Sequence, residues 1–431
     1  MIIKNAYVID PKNGIEGMKN IWISDGKIAE IKEINKNGER EAEGDETREE
    51  IIDAKGMWVI PGAIDLHVHL REPGFEYKED IETGAKSAAK GGVTTIVAMP
   101  NTKPVVDHPE VVDYIYKKAR EKACVNVLQV GAITKGQAGT ELAAIEEMSK
   151  AGICAISEDG RTVMDSKLLK EAMVIAKDLN LPILSHCEDE ALAGGAMNEG
   201  EISRKLGLAG IPKEAEDIIT ARDIQLAAAV GAKLHLCHVS TASSTKIIHF
   251  AKEQGVQVTA EVCPHHFSLT QDAVDGKDAN TKMNPPLREK EDVEALKKGL
   301  QSGIIDCIAT DHAPHHIDEK KKSYQEAPNG IIGLETMIPL TITELVEQGY
   351  LSPSQMVEKI SVNPAKVLGI DKGHLGVGAV ADLVLIDPKA QYILSVKDFA
   401  SKSTNTPFLG KAVQGRVMRT LVAGKTVYQY E

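Results

Sequence analysis

The stretch Asp65-Leu66-His67-Val68-His69-Leu70-Arg71 ends an apolar run over residues 63–68 that is typical of a buried β-strand. Side chains two residues apart in a strand share one face, so His67 and His69 point the same way. Two imidazoles on one face suit the binding of a single cation. The stretch therefore predicts a strand that ends in a polar, metal-binding mouth.

Seven further strand-like runs follow, and segments with helical spacing separate them. The eight runs cover residues 63–68, 94–99, 126–133, 153–157, 182–186, 233–239, 257–263 and 304–310. Helices are predicted over Tyr77–Lys90, Pro109–Lys122, Asp165–Leu179, Lys213–Val230, Glu289–Gly299 and Gly333–Gln348. This order predicts an α/β fold, a closed (β/α)8 TIM-like barrel over residues 61–369. The alternative, an open doubly wound sheet, normally has a Gly-rich first turn, and none follows Leu66.

The two ends of the chain share a different pattern. Residues 1–60 and 370–431 show strand alternation broken by Gly-containing turns, such as the Asp25-Gly26 hairpin turn. We expect both ends to pair into one small β-sandwich beside the barrel. The highly charged segment Asn35–Glu50 has no apolar periodicity and is interpreted as an exposed, solvated loop.

Composition narrows the class of function. The chain has 50 basic and 63 acidic residues, a net charge of −13, which argues against binding nucleic acid or an anionic membrane. The sequence offers no apolar stretch of about 18 residues to span a bilayer and begins without a signal-peptide pattern, so we expect a cytoplasmic protein. The six cysteines are spread singly, and reduced thiols are expected.

More residues of metal-ligand type stand at or near the ends of the later predicted strands. They are Asp159, His186, His238 and Asp311. Because barrel active sites form at the carboxyl ends of the strands, these residues should meet His67 and His69 at one rim. Imidazole and carboxylate favour zinc or another divalent transition metal, and six ligands suit two metals that share a bridge.

Several motifs together resemble those of the long bacterial type of dihydroorotase, within the amidohydrolase superfamily. They are His67–Arg71, Met99–Thr102, Met283–Arg288 and Thr310–His315, with Ile60–Gly62 and Gly376–Asp387 extending the resemblance over nearly the whole chain. The resemblance implies a zinc enzyme of de novo pyrimidine synthesis. Its reaction would be the reversible cyclisation of N-carbamoyl-L-aspartate to L-dihydroorotate.

The resemblance also implies a metal-ligand set with one or two zinc ions per subunit, two being favoured. His67, His69 and Asp311 would hold one ion and His186 and His238 the other, with Asp159 between them. Many superfamily members use a carbamylated lysine as the bridge, but Cys154–Gly160 contains no lysine. Glu158 is a competitor, although adjacent strand residues face opposite ways and the family pattern favours Asp159.

Roles in catalysis and substrate binding follow from the same resemblance. A hydroxide shared by the two metals would be the nucleophile, and Asp311 the general base and then general acid. Arg71 would bind the carboxylate outside the ring. Besides Arg71, the resemblance implies five further substrate-binding residues, which are Asn101, Asn284, His315, Asn329 and Gly330. Asn101 and His315 would assist Arg71, and Asn284 would lie by the ring. The loop Ser323–Gly333 would cover the ligand, although family members often carry an aromatic residue where Asn329 stands.

The sequence alone leaves other functions open. A hydantoinase, dihydropyrimidinase or allantoinase would share the fold and metals, although Arg71 and the missing lysine argue against these enzymes. A non-catalytic structural partner of aspartate transcarbamoylase should lack metal ligands, whereas all six predicted positions are filled. A homodimer is expected, and a complex with aspartate transcarbamoylase is left open for an active enzyme too.

Overall fold

The computed structural model describes residues 1–34 and 50–431 of the chain. The expected solvated loop Asn35–Glu50 lies outside the described residues except for Glu50. The described residues form a parallel β-barrel with helices around it and a second sheet built from both ends of the chain.

Eight parallel strands, β1 to β8, form the barrel. They are Ala63–Val68, Val93–Ala98, Asn126–Ala132, Ala155–Ser157, Ile183–Ser185, Leu234–Leu236, Val258–Val262 and Cys307–Ile308. Neighbours in sequence are neighbours in the sheet, and β1 meets the end of β8 through a bridge between Val68 and His312. The prediction of eight β/α units in a barrel is confirmed, with one strand in each predicted run and only Val93 falling outside its run.

Helices connect the consecutive strands and cover the outside of the barrel. The main ones are Ile81–Lys90, Pro109–Lys122, Ile145–Ala151, Ser166–Asp178, Glu214–Val230, Ala242–Glu253 and Lys290–Ser302. Shorter ones are Glu201–Leu206, Pro264–Ser268 and Ile317–Lys320. The single helix predicted over Gly333–Gln348 is instead a 3-10 turn Leu334–Thr336, an α-helix Met337–Thr341 and a π-helical turn Ile342–Val346. A similar series, Pro353–Val357, Glu358–Val362 and Asn363–Leu368, closes this part of the chain.

An irregularity in strand β1 changes the direction of its polar side chains. Leu66 belongs to the apolar cluster inside the barrel, together with Val97 and Leu184, whereas Val68 packs outward against the helices. The pairing of β1 with β2 shifts register between Asp65 and Val68. A bulge of this kind bends a strand and redirects its side chains, which is common at barrel rims near active sites.

The two ends of the chain form one sheet. Its hydrogen-bonded order is Lys425–Gln429, Ala412–Val422, Leu383–Ile393, Trp58–Pro61, Ile2–Asp10, Ile15–Ser24 and Lys27–Glu33, with Ile51–Asp53 beside Ile2–Asp10. This sheet encloses its own apolar core. The prediction that both ends pair into one β-unit is therefore confirmed, although its strands are hydrogen-bonded as one continuous sheet. A small separate ladder joins Met197–Asn198 and Gly210–Ile211.

The junctions between the two sheets lie where the sequence changes character. Trp58–Pro61 is a strand of the terminal sheet and Ala63 begins the barrel, so the observed change falls within two residues of the first of the boundaries we propose, 1–60, 61–369 and 370–431. Asp25 and Gly26 both adopt positive φ, 52° and 73°, as the predicted hairpin turn requires. The six cysteines are free thiols. Within residues 1–34 and 50–431, none of the helices has the length and apolarity needed to cross a membrane.

Candidate metal centre and substrate pocket

The six predicted metal ligands lie together at the carboxyl ends of the barrel strands, and all are buried. They are His67 and His69 at the end of β1, Asp159 after β4, His186 after β5, His238 after β6 and Asp311 after β8. Side chains from five strands thus converge at one rim, where (β/α)8 barrels carry their active sites.

Asp159 stands at the centre of the group. Its Oδ1 atom lies 3.1 Å from His67 Nε2, 3.8 Å from His186 Nδ1 and 3.9 Å from His238 Nε2. Its Oδ2 atom lies 3.5 Å from His69 Nε2. One carboxylate therefore faces both histidine pairs, which is the position that a shared ligand of two cations needs. Glu158 turns away and accepts a hydrogen bond from the backbone N–H of Thr134 at 3.0 Å.

Asp311 lies on the side of the first histidine pair. Its Oδ1 atom is 3.0 Å from His69 Nε2 and 3.6 Å from His67 Nε2. These three residues bring their ligand atoms within 4.8 Å of one another, as do His67, Asp159 and His238. The two groups share His67 and are of the size that a divalent ion could occupy.

The outward nitrogens of the first histidine pair are held by hydrogen bonds, and the inward nitrogens face the carboxylates of Asp159 and Asp311. His67 Nδ1 donates to Glu261 Oε1 at 3.0 Å, and His69 Nδ1 donates to Asn101 Oδ1 at 2.9 Å. His67 Nε2 is buried, faces the centre and makes no hydrogen bond. Metal-binding histidines commonly show this arrangement. On this evidence the residues fit a metal.

The second histidine pair is also compatible with a cation. His186 Nδ1 lies 2.9 Å from His238 Nε2, so two ring nitrogens face each other across a short gap. His186 Nε2 lies 3.3 Å from Glu188 Oε2. Without a metal, a proton on one of the two nitrogens makes a hydrogen bond to the other. With a metal, both nitrogens could use their lone pairs to bind the same cation.

Electrostatics keep the two carboxylates ionised. Burial alone would raise the pKa of Asp159, but His67 and His238 hold it well below its ordinary value. Burial opposes ionisation of Asp311 as well, and His69 and His67 lower its pKa. Despite burial, Asp159 raises the pKa of His67. A carboxylate must be ionised to bind a metal, so the environment prepares both groups as ligands.

Three residues of this rim adopt a backbone conformation that costs energy for residues with a side chain. Arg71, His238 and Asp311 have φ angles of 63°, 34° and 49°. Such left-handed residues cost about 1–3 kcal/mol each and cluster at functional sites, where they aim a side chain. In each case the strained residue points its side chain into the same cavity.

That cavity has a volume of about 200 Å3, and every predicted site residue except His67 lines it. Arg71 fixes its Nε by donating to Pro314 O at 3.2 Å, and one terminal nitrogen lies 3.3 Å from His315 Nε2. His315 Nε2 donates to Asn329 O at 2.8 Å. Burial and the charge of Arg71 hold the pKa of His315 far below its ordinary value, so this imidazole is neutral.

The remaining predicted residues occupy the walls in different ways. Asn101 lies between two predicted ligands, because its Nδ2 donates to Asp159 Oδ2 at 3.3 Å while its oxygen holds His69. Its contacts are thus with the metal ligands, whereas the sequence predicted that it assists Arg71. Asn284 Nδ2 donates to Glu188 Oε2 at 3.0 Å, and its buried Oδ1 has no hydrogen-bond partner.

Two functional candidates were missed from the sequence. Glu261 contacts both His67 and His235, whose Nε2 donates to its Oε2 at 3.0 Å. Opposing the cost of burial, these two histidines lower the pKa of Glu261 to about 2. A charged residue inside the apolar run of β7 was the available signal. Glu188, two residues after His186, was the other omission.

Comparisons with known proteins agree with this arrangement. Residues 56–244 match the family model described as Dihydro-orotase-like. A protein named dihydroorotase from Geobacter metallireducens is 50% identical to this chain, and the match covers 100% of this chain and 99% of that protein. A second protein of that name, from Acetivibrio thermocellus, is also 50% identical, and the match covers 99% of this chain and 98% of that protein. The solved structure of an L-hydantoinase (dihydropyrimidinase) from Arthrobacter aurescens superposes with a TM-score of 0.88 at 28% identity, covering 99% of this chain and 96% of that one.

Glu261→Gln should lower metal affinity about 10- to 100-fold, because the neutral amide holds His67 less firmly in its ligand orientation. Metal retained after dialysis against graded chelator, measured by plasma mass spectrometry, checks this. Glu253→Gln on the exposed face of a helix is the matched control. Equal metal retention in the two variants would contradict the role given to Glu261.

Proposed function

The chain belongs to the dihydroorotase family of cyclic amidohydrolases, and on that basis we propose how its own residues interconvert N-carbamoyl-L-aspartate and L-dihydroorotate in de novo pyrimidine synthesis. The observation that carries the proposal is the guanidinium of Arg71 in the same small cavity as five of the six predicted metal ligands. A ring amide can lie against the ligands while the carboxylate outside the ring meets Arg71.

The proposed cofactor is zinc, with two ions favoured. His67, His69 and Asp311 would hold one ion and His186 and His238 the other, and Asp159 would contact both. This assignment is supported by the distances around Asp159 and by the buried Nε2 of His67, which makes no hydrogen bond. When bound, the metal supplies a Lewis acid for the amide carbonyl and lowers the pKa of a water molecule.

Asp311 is the proposed proton carrier. It lines the cavity, it is ionised, and its Oδ1 atom faces both His69 Nε2 at 3.0 Å and His67 Nε2 at 3.6 Å, which leaves Oδ2 as the oxygen to face the substrate. In the hydrolytic direction Asp311 takes a proton from the attacking water and gives it to the ring nitrogen as the C–N bond breaks. In the synthetic direction it takes the proton from the ureido nitrogen as the C–N bond forms and gives it to the carboxylate oxygen that leaves, which departs as hydroxide and becomes water with a proton from solvent.

Arg71 is the proposed selector of the substrate. The overall charge of −13 repels an anion, so a local cation must bind the substrate carboxylate. The bond from Nε to Pro314 O fixes the plane of the guanidinium and leaves its terminal nitrogens for two carboxylate oxygens. Neutral His315 touches this group without adding a competing charge.

A hydantoinase or dihydropyrimidinase activity is the second candidate, because solved structures similar to this chain in shape include enzymes with those names. They are about 28% identical to the chain, whereas the relatives named dihydroorotase reach 50%. Hydantoin, dihydrouracil and allantoin also lack the carboxylate that Arg71 would bind. The non-catalytic alternative is disfavoured because the six ligand positions converge.

The wider setting of the enzyme is proposed from the family and its composition. We propose a cytoplasmic homodimer, and a complex with aspartate transcarbamoylase remains a prediction. Both are tested by the mass of the purified protein in solution, alone and after mixing with that enzyme.

A substrate panel tests the assignment directly. The purified, metal-analysed protein should turn over dihydroorotate with a kcat/KM at least about 100-fold above that for hydantoin, dihydrouracil or allantoin, because only dihydroorotate engages the guanidinium. Absorbance assays of ring opening measure all four. A preference for any uncharged ring would overturn the proposed substrate.

Arg71→Met should raise the KM for dihydroorotate about 10- to 100-fold, the loss expected for charge-assisted hydrogen bonds. Its zinc content should stay at the wild-type level because no predicted ligand contacts Arg71. Steady-state kinetics and metal analysis check both points. Arg120→Met, on an exposed helix face, is the control, and an unchanged KM in the Arg71 variant would refute the carboxylate site.

Asp311→Asn should lower kcat at least about 100-fold, because an amide cannot carry the proton. The assay is run with excess zinc, so that weaker metal binding is distinguished from lost proton transfer. Asp318→Asn, which is exposed on the short helix Ile317–Lys320, is the matched control. Turnover near the wild-type rate in the metal-loaded Asp311 variant would show that another group moves the proton.

A further inference from the structure

Two buried lysines stand behind the loop that forms one wall of the cavity. Lys282 is 6% exposed and Lys320 is 8% exposed. Among residues 1–34 and 50–431, neither ammonium group has a carboxylate within ion-pair distance. Lysine is rarely buried in this way without a charged partner, so these two residues call for another explanation.

Main-chain carbonyl groups replace the missing carboxylates. Lys282 Nζ donates to Gln325 O at 2.9 Å and to Ala327 O at 2.7 Å. Lys320 Nζ donates to Pro328 O and Gly330 O, both at 3.0 Å. The six consecutive residues 325–330 thus offer four carbonyl groups to two cations.

The hydrogen-bonding capacity of Lys320 is fully used. Besides the two loop carbonyls, Lys320 Nζ donates to Lys282 O at 3.3 Å, so its three N–H donors have three acceptors. Lys282 O also accepts from the backbone N–H of Gly330 at 3.0 Å, which joins both lysines to one point of the loop. Burial lowers the pKa of Lys320 to about 7 and lowers that of Lys282 as well.

The segment that these lysines hold is the part that reaches the cavity. The carbonyl of Asn329 accepts a hydrogen bond from His315, and both Asn329 and Gly330 line the cavity beside Arg71. Gly330 has a φ angle of 122°, and a Cβ atom there would lie 2.6 Å from Ala313 Cβ. The wall therefore exists in its observed form only while the backbone of residues 325–330 keeps this conformation.

We propose that Lys320 and Lys282 are positioning residues for substrate binding, whose ammonium groups hold residues 325–330 in the shape that completes the substrate pocket. The inference rests on the proposed function and names residues that act through the loop. Neither lysine lines the cavity, so neither acts by touching the substrate.

Replacing either lysine should weaken substrate binding more than it disturbs the metal centre. A neutral side chain in place of Lys320 leaves the carbonyl of Pro328 without its buried donor, and the loop must rearrange to hydrate it. The metal ligands stand on barrel strands that pair with one another, and the segment after Asp311 bridges Ile331, one residue beyond the anchored loop, through His312. Loss of a lysine should therefore raise KM while zinc content is retained.

The test compares Lys320→Met and Lys282→Met with Lys321→Met, whose side chain is 67% exposed. We expect KM for dihydroorotate to rise about tenfold or more in the first two variants, with kcat within about threefold of wild type. Zinc content should be unchanged. Amide hydrogen exchange should accelerate in residues 323–333 and not in the barrel strands, and the Lys321 variant should match wild type throughout.

Three results would overturn the inference. They are an unchanged KM in both buried-lysine variants, unchanged exchange in residues 323–333, and accelerated exchange spread over the barrel with loss of zinc, which marks a merely structural role. Failure of the proposed function is a different result, because the wild-type protein itself would then not turn over dihydroorotate. The exchange experiment would still report whether the lysines hold the loop.

Discussion

The site depends on the burial of Asp159 between four imidazole rings at the mouth of the barrel. Removing a carboxylate from water costs several kcal/mol unless charges and hydrogen bonds compensate. Here compensation comes from ring nitrogens at 3.1 to 3.9 Å, supplied by strands β1, β5 and β6. The closure of the barrel is what brings these strands round one carboxylate. The same closure places Asp311, after β8, next to His69 after β1.

Much of this could be predicted from local sequence. The strands are short apolar runs at regular spacing, and a His or Asp at the end of each run must lie at the rim once the barrel closes. The bulge between Asp65 and Val68 could not be predicted, because alternation assumes a regular strand and the irregularity results from pairing with β2. The helix predicted over Gly333–Gln348 has nearly the predicted bounds but is divided into 3-10, α and π-helical pieces, a division that periodicity does not indicate.

The partners of the predicted residues were harder to find than the residues themselves. Asn101 was expected to help Arg71, yet it holds His69 and Asp159. Glu261 was overlooked although it orients His67 from a strand 194 residues away. Contacts across the barrel depend on which strands become neighbours and on side-chain directions at the rim. A pattern of single residues contains no information on strand neighbours or side-chain directions. The sequence therefore indicates the metal ligands more readily than the residues that hydrogen-bond to those ligands.

Two different supports meet in this cavity. The predicted metal ligands stand on strand ends whose geometry is fixed by the barrel ladder, whereas the substrate wall at residues 329–330 is irregular backbone. Irregular backbone needs other donors for its buried carbonyl groups, and Lys282 and Lys320 provide them here. Because the ammonium groups bond to main chain, the loop side chains can vary without loss of this support. A barrel that keeps its ligands can therefore change its substrate through the loop sequence while the anchored backbone stays in place.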